Sequence, residues 1–213
     1  MLTIVMVASV LPIGFCCSEV SVGSTADPTS QPSDLTLVKD GMSITLHRLT
    51  ADDVGDMRSV MGVKDPARNY NVLVDGMGTG LAPPSEGEYD LMEGQYSLVK
   101  VEYKDLGDGL PASFDLSTLN TFPKVGNQGS QGSCAAWAMT YYCYGAIEAA
   151  DNGWTSAKSG TSSQLISPAW TYNRVSDYDH GSSMTTNGWV IRDWGVPTLA
   201  TMPYVASDCT SWG

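Results

Sequence analysis

Cys134 stands at the head of an alanine-rich segment, directly after Gly132-Ser133 and six residues after Gln128. A thiol attacks carbon only as its thiolate, and a free cysteine ionises near pH ~8.5. The positive end of a helix lowers that value, and Cys134 is placed to sit at one. Gly132 and Ser133 let the backbone turn into the helix with its first N–H groups free. The chemistry this arrangement suits is nucleophilic catalysis through a covalent intermediate. Cys143, nine residues on, falls on the opposite face of the same helix and reads as a small core residue. No Gly-x-Ser-x-Gly elbow marks a serine nucleophile. No grouping of His, Cys or carboxylates has metal-ligand spacing, so neither metal nor cofactor is expected. The two histidines are His47, on a predicted strand, and His180, in a predicted loop. Both read as solvated, with His180 the weaker alternative as a base.

The elements that must position Cys134 follow from local pattern. Residues 134–150 form one predicted helix, favoured by Ala135, Ala136, Ala138 and Ala149. Trp137, Met139, Tyr141, Tyr144 and Ile147 make it apolar around most of its circumference, which predicts a central helix. Asp151-Asn152-Gly153 stops it. Upstream, residues 35–39 and 43–49 flank Asp40-Gly41 as a hairpin. Thr50 and Asp53 start a helix whose apolar face is Val54, Met57, Val60 and Met61. Further strands are expected over 70–74 and 96–103. The glycine spacing of Gly76-Met77-Gly78-Thr79-Gly80 fits no dinucleotide or phosphate loop. It reads as a plain loop, closed by Ser85 and Glu88 capping a short helix over 89–92. Residues 106–111 read as a glycine-rich joint.

The chain has 213 residues, with 42% hydrophobic content, which suits one globular domain, or one domain plus a smaller unit. A net charge of −12 with 11 Lys and Arg argues against nucleic-acid binding. Residues 4–15 form a short apolar run, long enough for a signal-peptide core and too short to span a bilayer. This predicts a signal peptide over 1–17 and a secreted or cell-surface protein. Cys16-Cys17 at its end invites a lipid anchor, against which stands the bulky Phe15. Residues 18–34 are rich in Ser, Thr, Pro and Gly and read as a flexible linker. Once Cys16 and Cys17 leave with the leader, Cys134, Cys143 and Cys209 are too few for a disulfide framework.

The run Gln128-Gly129-Ser130-Gln131-Gly132-Ser133-Cys134 resembles the active-site segment of papain-like cysteine peptidases. Leu110-Pro111-Ala112-Ser113-Phe114-Asp115 is similar to the start of their mature domain. Leu165 to Asn173 resembles their Leu-Ser-Pro-x-x-x-Tyr segment, and His180-Gly181-Ser182-Ser183-Met184 their Gly-Gly-Ser-Ser segment. The resemblance covers residues 109–213. It implies an α+β, papain-like fold of which the chain holds the helical N-terminal half-domain, preceded by a small α/β pro-region or accessory unit over 35–108. It implies hydrolysis of peptide bonds in a peptide or protein substrate through a Cys134 acyl-enzyme. Gln128 and the Cys134 N–H would form the oxyanion hole, and Gly181 would pair with substrate backbone. In that family the partner His and Asn lie about 130–150 residues past the cysteine. The resemblance therefore implies a missing C-terminal half-domain beyond Gly213, and a chain inactive without it. Two departures stand out. Ala135 replaces the usual aromatic residue after the nucleophile, and Gln131 stands where many members have a disulfide cysteine. The alternative is a non-catalytic papain-like surface or peptide-binding module.

Overall fold

A computed structural model of the chain describes residues 34–39, 42–103, 113–176 and 178–208. The expected leader, linker, Asp40-Gly41 turn, glycine-rich joint and Cys209 lie outside those residues. The architecture is mixed α+β, and the chain divides into two compact units, one from residues 1–61 and 87–112, the other from 62–86 and 113–213. Residues 62–86, read as part of the accessory unit, pack with the unit that carries Cys134.

In the first unit, β1 (Asp34–Lys39), β2 (Met42–Arg48) and β3 (Tyr96–Tyr103) form an antiparallel sheet in the order β1-β2-β3. A register shift between Thr45 and Leu46 bends β2 against β3. Helix α1 (Ala51–Met61) starts as its sequence dictates. The Thr50 N–H donates to Asp53 Oδ2 at 2.8 Å and the Asp53 N–H to Thr50 Oγ1 at 3.3 Å, a reciprocal capping box. Its apolar face is narrower than expected, because Val54 is buried while Val60 is 85% exposed. Helix α2 (Glu86–Met92) begins three residues before the expected 89 and buries Tyr89 and Met92. The Arg58 guanidinium lies 5.1 Å from the Tyr89 ring centroid.

The second unit is built on a continuous helical run over 134–151. It opens as α3 (Cys134–Ala136), passes through a π-helical stretch (Trp137–Tyr144) and resumes as α4 (Gly145–Asp151). The expected single α-helix thus has a widened middle, in which bonds reach five residues rather than four. Packing accounts for it: Tyr141 and Tyr142 both approach the Trp137 ring, at 4.6 and 6.3 Å between centroids. Trp137, Tyr141, Ala149, Ala157 and Leu165 form the core of the unit. Each large apolar side chain buried there contributes roughly 1.5–3 kcal/mol. Helix α5 (Pro168–Val175) starts with proline in its first turn, where the missing N–H is harmless. A buried Thr140–Thr171 hydroxyl pair at 2.7 Å fastens it to the π-helical stretch. Helix α6 (Met184–Trp194) is capped by Ser183, whose Oγ accepts the Thr186 N–H at 3.1 Å, and ends at Gly195 with φ +66°. Among the described residues no helix is long and apolar enough to cross a membrane.

Candidate functional site

The loop over 126–133 delivers Cys134 to the start of the helical run. Gly126 lies against the Trp137 ring so closely that a Cβ there would fall 2.2 Å from Cζ3. Gly129 takes φ +63°, and its N–H donates to Asn127 Oδ1 at 2.7 Å. The Tyr204 hydroxyl donates to the Gln128 carbonyl at 2.8 Å, and Ser133 Oγ donates in turn to Tyr204 at 2.8 Å. Gln131, almost fully buried, donates through Nε2 to the Asp208 carbonyl at 2.7 Å. The position that a disulfide cysteine occupies in the resembling family is thus filled by a hydrogen-bonded amide.

A strap of backbone over residues 70–82 lies across this loop. The expected strand over 70–74 is not formed. Val74 and Met77 instead exchange two 2.9 Å backbone bonds around Asp75 and Gly76, which carry φ of 52° and 78°. That is the geometry of a tight hairpin turn, for which Asp-Gly is a strong signal. The Thr79 N–H donates to Asn71 Oδ1 at 3.2 Å, and Thr79 Oγ1 donates to the Tyr70 carbonyl at 3.1 Å. The strap then docks. The Gly78 N–H donates to the Gly129 carbonyl at 2.9 Å, and Gln128 Nε2 donates to the Gly78 carbonyl at 2.6 Å. The Ser182 N–H donates to the Gly80 carbonyl at 2.9 Å, and the Ala82 N–H to the Ser182 carbonyl at 3.0 Å, a parallel bridge centred on Leu81.

Between those fixings the Thr79 carbonyl reaches Cys134. It accepts from the Cys134 N–H at 3.5 Å and lies 3.5 Å from Gln128 Nε2, whose closer acceptors are the Gly78 carbonyl at 2.6 Å and the Gln131 carbonyl at 3.0 Å. The approach needs glycine on every side. A Cβ on Gly80 would meet the Gly132 carbonyl oxygen at 1.9 Å, and one on Gly181 would meet the Gly80 carbonyl oxygen at 2.3 Å. A Cβ on Gly78 would meet the Gln131 carbonyl oxygen at 2.3 Å. Of the glycines that fit no phosphate loop, Gly78 and Gly80 are required by this contact.

Two opposed effects act on the thiol. Burial pushes the Cys134 thiol above its ordinary range, while hydrogen bonds from the Ala135, Leu81 and Cys134 N–H groups pull the other way. The expectation of a thiol lowered by the helix start is corrected here, since desolvation outweighs the N–H groups. Cys143 is also a free thiol, pushed up by burial alone.

Of the residues singled out by sequence, Gln128, Cys134 and Gly181 come together around one segment of backbone. His180 is half-buried beside the Tyr178 ring, and its carbonyl accepts the Tyr70 N–H at 3.0 Å. Among the described residues no imidazole is hydrogen-bonded to Cys134. His47 is not merely solvated. Its Nδ1 meets Asp34 Oδ1 at 2.6 Å and its Nε2 meets Asp53 Oδ2 at 3.1 Å. The two hydrogen bonds, Asp34 first, raise the His47 pKa. Asn71, Thr79, Asp179 and Tyr204 were not expected at the site, and only the Asp75-Gly76 turn signalled a folded strap there. Among the described residues no three His, Cys, Asp or Glu side chains are grouped to hold a metal ion. Comparison with known proteins gave no matching family model, no matching curated protein and no matching solved structure.

Proposed function

We propose that the chain carries the nucleophile half of a papain-like cysteine peptidase, held latent by its own strap. What supports the reading is one carbonyl: Thr79 C=O, which accepts from the Cys134 N–H at 3.5 Å and lies 3.5 Å from the Gln128 side-chain amide nitrogen. Two donors converging on a carbonyl beside a thiol is what acyl transfer requires, since the same donors strengthen their bonds as the oxygen becomes an oxyanion. In this reading Cys134 Sγ attacks the carbonyl carbon of a peptide substrate, the C–N bond breaks, and the amine leaves with a proton. Water then releases the acyl group. The proton donor and acceptor for both steps come from a base outside the described residues. Gly181, now under the Gly80 carbonyl, borders the groove a substrate backbone would enter.

The alternative, a non-catalytic peptide-binding groove, draws on the same strap, because a peptide already lies there by backbone hydrogen bonds. One experiment separates the two. A peptidyl chloromethyl ketone and iodoacetamide compete for the Gly80→Ala chain, in which the strap is displaced. The peptidase reading expects the peptidyl reagent to alkylate Cys134 at least about tenfold faster relative to Cys143 than iodoacetamide does, and Gln128→Ala to abolish that preference. No preference at Cys134 leaves the binding-groove reading.

A further inference from the structure

Asp179 lies two residues before Gly181, in a turn where it takes φ +63°. Aspartate tolerates that region better than most side chains, yet still at some strain. Its two carboxylate oxygens serve two different parts of the unit. Oδ1 accepts the Gly132 N–H at 2.8 Å and the Tyr172 hydroxyl at 2.6 Å. Tyr172 is fully buried on α5, so this oxygen joins the nucleophile loop to the helical frame. Oδ2 accepts Asn71 Nδ2 at 2.7 Å. Asn71 belongs to the strap. The same Nδ2 donates to the Ser130 carbonyl at 3.1 Å, while its Oδ1 takes the Thr79 N–H at 3.2 Å.

We propose that Asp179 is a two-sided latch, a positioning residue that holds the loop ahead of Cys134 with one oxygen and the inhibitory strap with the other. The proposal rests on the reading of Cys134 as a nucleophile and adds how its cover is fastened. An ionised carboxylate suits the task, because charge-assisted bonds are roughly twice as strong as neutral ones. The loop side would persist when the strap leaves, since Gly132 and Tyr172 do not depend on Asn71. The strap side is the one that opens. Asn71 is the hinge of that choice: it reads the carboxylate with one end of its amide and fixes the Thr79 peptide with the other. Release of Asn71 therefore frees the carbonyl that now sits on the Cys134 and Gln128 donors.

A charge exchange tests this. Asn71→Asp faces one carboxylate with another and should speed iodoacetamide labelling of Cys134 in the full chain by about tenfold or more. Adding Asp179→Asn restores a donor–acceptor pair in reverse, while the side-chain oxygen that this substitution keeps still accepts from Gly132 and Tyr172. The double variant should label at least about threefold more slowly than Asn71→Asp, short of full recovery because the Ser130 carbonyl loses the Asn71 donor, with Cys143 labelling constant throughout. Unchanged labelling in Asn71→Asp, a double variant as fast as the single one, or Cys143 rising in step with Cys134 would each overturn the latch. Failure of the peptidyl reagent with a working exchange would discard the peptidase reading and leave the latch standing. The converse would remove the latch alone.

Discussion

Replacing Gly80 by alanine places a methyl group where the Gly132 carbonyl oxygen lies 1.9 Å away, at a residue whose φ is +106°. Neither the neighbouring backbone nor the dihedral can absorb it, so the strap must lift. Lifting breaks the Ser182–Gly80 bond at 2.9 Å, the Ala82–Ser182 bond at 3.0 Å and the Gln128–Gly78 bond at 2.6 Å. At about 1 kcal/mol net for each, with part recovered by water, the closed state loses about 2–3 kcal/mol. Since ~1.4 kcal/mol is a tenfold change in an equilibrium constant, the open population grows about 30–150-fold. Where labelling reads that population, Cys134 alkylation by iodoacetamide should quicken by the same factor. Peptide mass gives both cysteines in one experiment. A Cys134 rate within about twofold of the starting chain, or a parallel rise at Cys143, would refute the reasoning.

Other expectations follow from single contacts. His47, raised by Asp34 and Asp53, should titrate above the ordinary 6.5 by NMR, and Asp34→Asn with Asp53→Asn should bring it back. The stability it adds is fully present below pH 6.5 and fades as pH rises through the raised value. Asp53, lowered to about 2, contributes above its unfolded 3.8 and loses its share as pH falls towards 2, which an acid titration of far-UV circular dichroism would follow. Gly126→Ala drives a methyl group into the Trp137 ring and should cost about 1–3 kcal/mol in a urea melt. Tyr204→Phe removes the hydroxyl between Ser133 and Gln128, at about 1 kcal/mol, and should raise Cys134 labelling without altering Cys143.

Local chemistry was legible in the sequence where the partners are close in the chain. Thr50 and Asp53 read each other three residues apart, and Asp151-Asn152-Gly153 stops the helical run that begins at Cys134. The helix that begins at Cys134 was visible in its alanines and aromatics, but not its π-helical middle, which depends on how Trp137, Tyr141 and Tyr142 share space. Residues 70–74 looked like a strand because Tyr, Val and Leu favour one. Val72, Leu73 and Val74 are each more than half exposed, and no sheet buries them. Gly78 and Gly80 have spacing that fits no phosphate loop, and the contact that needs them lies some fifty residues on, at Gln131 and Gly132. The thiol was misjudged for the same cause. A helix start is written beside Cys134, whereas its burial is set by the folded unit, in which even its backbone partner Thr79 lies some fifty residues upstream.

The strap has no free end. The chain leaves the first unit after α1, crosses the Cys134 loop and returns to the first unit through α2. The pairing of β2 with β3 spans this excursion, since His47 sits opposite Ser97 and Arg48 opposite Tyr96. One cut between residues 62 and 86 would therefore detach nothing. The two new ends would each remain rooted in the same sheet, and denaturing gels would show two fragments where gel filtration shows one species. Taking the cover away altogether demands a second break, so exposure of the thiol and loss of mass are separate events in this topology.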